Sequence, residues 1–371
     1  MTEPFEIFLV CAPGLESALA TEARNAGFAD ARAVTGGVGF AGTWPDVWRA
    51  NLELRGTTRV LARIGGFRAM HLAQLDKRAR KFDWTDFLRP DVPVRVEAAC
   101  RHSRIYHAGA AAERVARAIA EQVGVPIAEN ADLRIMVRIE DDFVTLSLDT
   151  SGASLHKRGF KEAVARAPMR ETMASLFLFQ LGFDGGQPLV DPMCGAGTFV
   201  IEAAEIAAGR KPGRGRSFAF ELLPSFDPGA WEALRAPTGT PASEPRFFGS
   251  DRDAGAIRMA GENAERAGVS AATRFDCRDI AELTPPDTEP GIVVVNPPYG
   301  TRIGNGAPLV SLYRTLGARL RSGFAGWTVG IVTASPDLAR ATGLKLEPAG
   351  SPVLHGGLRV VLWRADMPRS R

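Results

Sequence analysis

Leu189-Val190-Asp191-Pro192-Met193-Cys194-Gly195-Ala196-Gly197-Thr198-Phe199-Val200 decides the fold. Two apolar residues run into an acid and a Gly-X-Gly pair, and an apolar helix pattern from Phe199 to Ala208 follows. A short buried strand turned by glycine into a helix opens the βα unit of a nucleotide-binding sheet. Downstream, Arg246–Ser250, Ala272–Phe275, Ile292–Val295 and Val329–Thr333 read as strands, separated by helices at Ala254–Ala267 and Leu309–Leu320. Alternating βα units predict a mostly parallel, doubly wound α/β sheet. Val353–Trp363, with Gly356-Gly357 inside it, predicts a closing antiparallel hairpin.

The turn admits two ligands. A dinucleotide fingerprint needs a third glycine, but position 200 is Val, and the next acid at a strand end, Asp251, is too distant. Asp191 would also repel a pyrophosphate. A carboxylate there suits a cationic end, which favours S-adenosylmethionine over NAD. Asp251 could accept ribose hydroxyls and Asp279 an adenine amino group, with Asp253 and Asp276 as rivals. Arg252 and Ile280 adjoin these acids, while Pro192, Met193, Cys194 and Thr198 complete the turn. A plain βα turn with capping acids is the structural alternative.

The most specific signal is Asn296-Pro297-Pro298-Tyr299, directly after Ile292–Val295. Two prolines stop a strand, remove two ladder donors and fix φ. The Asn296 side-chain oxygen and the Pro297 carbonyl then form a stiff acceptor pair suited to the two N–H groups of a planar exocyclic amine. Tyr299 offers a face on which a base could stack. A proline-rich loop is the alternative.

Residues 1–150 read as α+β, as two small units. Strands are expected at Phe5–Val10, Val34–Phe40, Leu61–Phe67, Val94–Ala99, Leu133–Ile139 and Phe143–Leu148, with helices at Trp44–Leu54 and Ala108–Val123. The net charge of +3 conceals clustering: residues 55–115 carry thirteen Lys/Arg against six acids, and 156–170, 210–216 and 302–322 are each +4. Such stretches suit a polyanion or are solvated faces. The four cysteines are scattered, the five histidines never fall at ligand spacing, and no apolar run spans a bilayer. A reducing cytoplasm, no bound metal and no membrane partner are expected. Cys194 is expected to serve through its backbone rather than as a nucleophile.

Asn296-Pro-Pro-Tyr-Gly300 together with Asp191–Thr198 resembles the THUMP-domain class I RNA guanine-N2 methyltransferases, in particular the RlmL type acting on large-subunit ribosomal RNA. Cys11–Glu16, Gly36–Phe40, Arg49–Leu52, Leu146–Asp149, Leu155–Phe160 and Ala167–Glu171 extend the likeness along the chain. The resemblance implies a ferredoxin-like unit over 1–56, a THUMP domain over 57–155 and an S-adenosylmethionine-dependent methyltransferase with a Rossmann-like sheet over 156–371. It puts the catalytic tetrad on Asn296–Tyr299, with Asn296 also touching the cofactor, and Pro168 and Met169 beside the methionine end of the cofactor. Ribosomal RNA is the expected partner and transfer RNA the alternative. Adenine-N6 methylation of DNA, glutamine methylation of protein and non-catalytic RNA binding are the readings further off.

Overall fold

The computed structural model describes residues 3–160, 169–237, 244–299 and 307–369. They form two compact units. The first comprises Met1–Cys11, Ala23–Leu155 and Arg216–Ala236; the second comprises Ala12–Glu22, His156–Gly215 and Pro237–Arg371.

In chain order the N-terminal elements are β1 (Phe5–Val10), α1 (Glu16–Asn25), β2 (Arg32–Val34), β3 (Gly37–Gly42), α2 (Trp44–Glu53), β4 (Arg59–Arg68), α3 (Leu72–Ala79), β5 (Val94–Arg101), α4 (Ala108–Val123), β6 (Leu133–Glu140) and β7 (Phe143–Asp149). The strands make one sheet in the order β2-β3-β1-β4-β7-β6-β5, antiparallel except where β5 lies beside β6. The two small units read from the sequence thus share a single sheet, because β4 is long enough to pair with β1 on one side and β7 on the other. The strand read over Val34–Phe40 is two strands: Gly36, at φ 83°, reverses the chain between them. His71 and His107 are helix caps, each Nδ1 accepting a backbone N–H, from Gln74 and Ala110 respectively.

The second unit contains α5 (Glu171–Gln180), β8 (Leu189–Asp191) and α6 (Thr198–Ala207). The segment Arg216–Ala236 follows, and its helix α7 (Pro228–Arg235) belongs with it to the first unit. Phe218, Phe220 and Trp231 pack there against one another and against Trp48 of α2, with ring centroids 5.0–6.1 Å apart, instead of covering the parallel sheet. Three buried aromatic rings outweigh proximity in sequence when the chain chooses which core to join.

The remaining elements are β9 (Phe247–Asp251), α8 (Ala254–Ala267), β10 (Thr273–Cys277), β11 (Ile292–Val295), α9 (Ala307–Gly323), β12 (Thr328–Thr333), α10 (Pro336–Ala341), β13 (Glu347–Pro348), β14 (Val353–His355) and β15 (Leu358–Asp366). The sheet order is β10-β9-β8-β11-β12-β15-β13, parallel from β10 to β12 and antiparallel at β15. Gly356 and Gly357, both with positive φ, close the expected hairpin between β14 and β15. On α9, Leu309, Tyr313, Leu316 and Leu320 form one apolar stripe at helical spacing and pack with Val293, Val295, Val329 and Ile331. A side chain at Gly317 would put its Cβ 1.8 Å from the Thr342 carbonyl, so the close approach of α9 to that backbone requires glycine. Strand order reverses at β8, which lies between β9 and β11. In a doubly wound sheet this is where a crevice opens at the carboxyl ends of the strands.

Candidate active site

The two glycines of the turn have different jobs. Gly195 adopts φ 53°, and a Cβ built on it would meet nothing within 4 Å, so a ligand can come down onto its backbone. Gly197, at φ 84°, caps α6, and its Cβ would press on Ala260, Ile201 and Phe275 at 3.1–3.2 Å. One glycine opens the cradle and the other lets the helix pack.

The acids divide in the same way. Asp251 Oδ2 accepts the Gly195 N–H at 3.1 Å and Oδ1 accepts the Asp253 N–H at 3.0 Å, so this carboxylate ties the end of β9 to the turn. Asp253 is spent capping α8, and Asp276 pairs with Arg274 at 3.1 Å. Asp279 is exposed after β10 and accepts the Ala281 N–H at 2.9 Å. Between the rivals, Asp251 and Asp279 have the better strand-end positions. Asp191 is buried and accepts one N–H, from Met193 at 3.1 Å. Burial, reinforced by Asp251, pushes its carboxyl up to about 8 despite that bond. A cation arriving at Asp191 would restore the charged form.

Asn296 emerges directly from β11, the neighbour of β8, just past the stretch where Val293 pairs with Val190. Its Oδ1 is buried, with no hydrogen-bond partner among the described residues. An orphaned acceptor of this kind is costly, and it fits a donor brought by a ligand. Tyr299 is half-buried against the α9 core cluster, with Met193 beside the same cluster. Burial raises its phenol to about 12, so it stays protonated and cannot act as a base near neutrality. Beneath the corner, the fully buried Tyr313 of α9 donates its hydroxyl to the Pro298 carbonyl at 3.4 Å. The sequence pattern did not single out Tyr313, although it is one of only three tyrosines in the chain.

The structure therefore brings Asp191, Gly195, Asp251, Asp279 and Asn296 to successive carboxyl ends of adjacent strands. Met169 is buried just before α5, Arg252 is exposed, and Ile280 sits in the core cluster with Val190. Pro168 lies outside the described residues. Cys194 is buried, and burial together with Asp191 and Asp251 raises its thiol, which keeps it neutral and unreactive. Its N–H bonds the Ser250 carbonyl at 2.9 Å.

Some cations of two basic stretches turn inward. Arg158 is buried against Glu202 at 3.2 Å, Arg210 and Arg214 bond the Ala267 carbonyl, and Arg216 bonds the carbonyls of Ser151, Ala153 and Ser154. These cations brace loops and leave little for a polyanion.

A doubly wound sheet that turns through Gly-X-Gly at its switch point, with Asn-Pro-Pro-Tyr ending the adjoining strand, defines a class I methyltransferase domain. The chain belongs to the RMKL-like methyltransferase family, whose domain matches residues 158–353; the RlmL ferredoxin-like domain matches 6–61 and the THUMP domain 69–149. The family resemblance read from the tetrad and the turn is thereby borne out. The ribosomal RNA large subunit methyltransferase K/L of Syntrophotalea carbinolica (strain DSM 2380 / NBRC 103641 / GraBd1) is 35% identical over 100% of this chain and 55% of its own length. The chain spans about half the length of the curated relatives it matches. A structure from Listeria monocytogenes str. 4b F2365, named a predicted N6-adenine-specific DNA methylase, is 30% identical with TM-score 0.88 and covers 98% of this chain and 97% of that one. SMU.472, named a putative methyltransferase and solved in complex with SAH, is 26% identical with TM-score 0.88 over 100% of both chains.

Proposed function

We propose that this protein transfers a methyl group from S-adenosylmethionine to the exocyclic N2 amine of guanosine in RNA, with large-subunit ribosomal RNA as the substrate, in the cytoplasm. One observation carries the chemistry: the buried Asn296 Oδ1, without a partner among the described residues, at the end of the strand next to the glycine turn. The cradle fits the cofactor on its own evidence, through the open face above Gly195 and the buried, charge-starved Asp191. When bound, S-adenosylmethionine supplies an electrophilic methyl group on a sulfonium.

The chain's residues do the rest. Asp191 takes the ammonium end, Gly195 and its neighbours lie along the methionine with Pro168 and Met169, Asp251 takes the ribose, and Asp279 beside Ile280 takes the adenine. Asn296 Oδ1 and the Pro297 carbonyl accept the two N–H groups of guanine N2. This draws the nitrogen lone pair out of conjugation and aims it at the methyl, a gain in orientation and electrostatics that needs no strong base. Tyr299 stacks on the extruded base. The departing proton leaves toward Asn296 or solvent once nitrogen has become cationic.

RNA as substrate draws support from the THUMP match and from the name of the Syntrophotalea relative. Residues 1–56 and 57–155 then hold RNA, and 156–371 methylate it. The Listeria relative's name favours a second reading, adenine N6 in DNA, since the tetrad would grip that amine equally well. The test is methyl transfer to total RNA and to genomic DNA, followed by nucleoside mass analysis. N2-methylguanosine in RNA is the expected product; N6-methyladenine in DNA alone would overturn the proposal.

A further inference from the structure

Among its described residues the second unit leaves two large apolar side chains exposed, Leu354 and Leu358, and both are on the β14–β15 hairpin. Leu354 lies across from Arg359 and Leu358 across from His355, so the two leucines project from opposite faces of the ribbon, on either side of Gly356-Gly357. Farther down, Val353 pairs with Val360, and both are fully buried. The root of the hairpin is packed and its tip stands clear. Ala12–Glu22, part of the same unit, braces that root: Gly14 adopts φ 100°, and a Cβ there would fall 2.7 Å from the Pro352 carbonyl. A stiff ribbon that ends in a leucine on each face gains no stability from keeping both of them wet.

The tip points toward the chemistry. β15 runs antiparallel to β12, with Val361 opposite Thr333, the last residue of β12. Going back from Val361 to Gly357, at about 3.3 Å per residue, carries the tip about 13 Å beyond that strand end. This is the edge of the sheet from which Asn296 emerges, two strands and about 10 Å away. No acid falls between Glu347 and Asp366 in the sequence, so the hairpin is purely cationic. Arg359, opposite Leu354, is exposed. On the other face, His355 feels Arg170, the exposed N-cap of α5: burial first, then that charge, holds the imidazole below its usual value and therefore neutral near pH 7. Each face of the tip thus combines one leucine with one permanent cation.

A guanine that reaches Asn296 and Tyr299 has left its stack, and the gap behind it is walled by two bases and flanked by phosphates. An apolar wedge on a cationic mount fits such a gap. A protein partner fits it poorly: a stable interface buries roughly 800 Å² on each side, and two side chains on opposite faces of a thin ribbon form no continuous patch. We infer that the β14–β15 tip is a wedge that holds the target guanosine out of its RNA stack, with Leu354 and Leu358 filling the vacated space and Arg359 and Arg170 on the flanking phosphates. The inference rests on the reading of RNA as substrate and adds how the base is kept extruded. Both leucines are positioning residues.

The test uses the full chain and large-subunit ribosomal RNA, unmodified or with 2-aminopurine at the guanosine that nucleoside mapping finds methylated. 2-Aminopurine keeps the N2 amine and brightens when it leaves a stack. Its fluorescence should rise several-fold on binding the wild type. Leu354→Ala with Leu358→Ala should remove that rise and slow single-turnover methyl transfer about tenfold, with KM for RNA and S-adenosylhomocysteine affinity within threefold. Methionine at both positions should restore both signals. The leucines are exposed, so these substitutions leave the fold intact. Arg359→Gln should reduce the slope of log affinity against log salt by about 0.7. No fluorescence rise with the wild type, or unchanged transfer in the double alanine variant, overturns the inference. So does self-association of the wild type that the double variant loses while its transfer stays normal, since the tip would then be a contact between copies of the chain. Asn296→Ala should keep the fluorescence rise and lose transfer; normal transfer there refutes the catalytic reading and leaves the wedge standing. Methylation of DNA alone refutes the substrate reading before any hairpin variant is made.

Discussion

The carboxyl ends of β9 and β11 lie on either side of β8, yet they are built on opposite terms. At the end of β9, Asp251 gives both oxygens to backbone N–H groups of its own protein, so the turn is fixed before any ligand arrives. At the end of β11, Asn296 keeps a buried acceptor unmatched among the described residues. A site that must only bind can satisfy its polar groups internally and offer a rigid shape. A site that must redirect an electron pair has to leave its strongest acceptor unspent, and the fold carries the desolvation cost of doing so. Asp191 is intermediate: it has one bond, is buried, and has a carboxyl raised to about 8.

The largest effect should follow from deleting the unspent acceptor. Asn296→Ala is expected to lower kcat on the order of 10²–10³-fold while leaving the affinity for S-adenosylhomocysteine within twofold. It should not destabilise the protein, because removing an unsatisfied buried group relieves a cost. Rapid-quench kinetics beside calorimetric binding would check both halves. A variant with normal kcat, or one that loses the cofactor, would erase the contrast between the two strand ends.

Asp191 gives the next largest effect, and its sign is fixed by the direction of its shift. Below about pH 8 the folded, ligand-free protein holds a proton on this carboxyl, and only the ionised form pairs with an ammonium group. Affinity for S-adenosylhomocysteine should therefore rise by up to about tenfold per pH unit on approaching pH 8 and level off above it. Asp191→Asn should bind weakly and without that slope. Stability moves the other way: the unfolded chain loses this proton near the ordinary aspartate value of 3.8, so the ligand-free protein should lose up to about 1.4 kcal/mol per pH unit between about pH 4 and 8. Denaturant melts of wild type and Asp191→Asn across that window would show the slope or its absence.

Most of the catalytic unit was legible because its signals are local. A glycine pair between a strand and a helix, an acid at a strand end and two prolines after four β-branched residues each constrain the backbone within a few residues. What was not legible depends on packing at a distance. Which cations of 210–216 and 156–170 turn inward depended on Glu202 and on the Ala267 carbonyl, far away in the chain. Residues 216–236 joined the first unit because Trp48 completes a cluster with Phe220 and Trp231, a choice no periodicity announces. Helix α3, only eight residues long and thick with charge, gave no apolar pattern strong enough to read.

Tyr313 belongs to this second kind of information, and it tests the comparison most finely. Its hydroxyl meets the Pro298 carbonyl just past the end of β11. The unspent acceptor of Asn296 is useful only if the corner carrying it is held still, so a rigid support should exist beneath it, as one does under Asp251. Tyr313→Phe keeps the ring in its buried place among Leu309, Leu316 and Val295 and removes one bond. A stability loss of about 1 kcal/mol is expected. If Tyr313 positions the corner, kcat should fall several-fold with KM for RNA and cofactor affinity unchanged, because the orientation of the amine matters only at the transfer step. If the tyrosine merely fills the core, kcat will be untouched and only the melt will shift. In that case the stiffness of the corner comes from the two prolines alone.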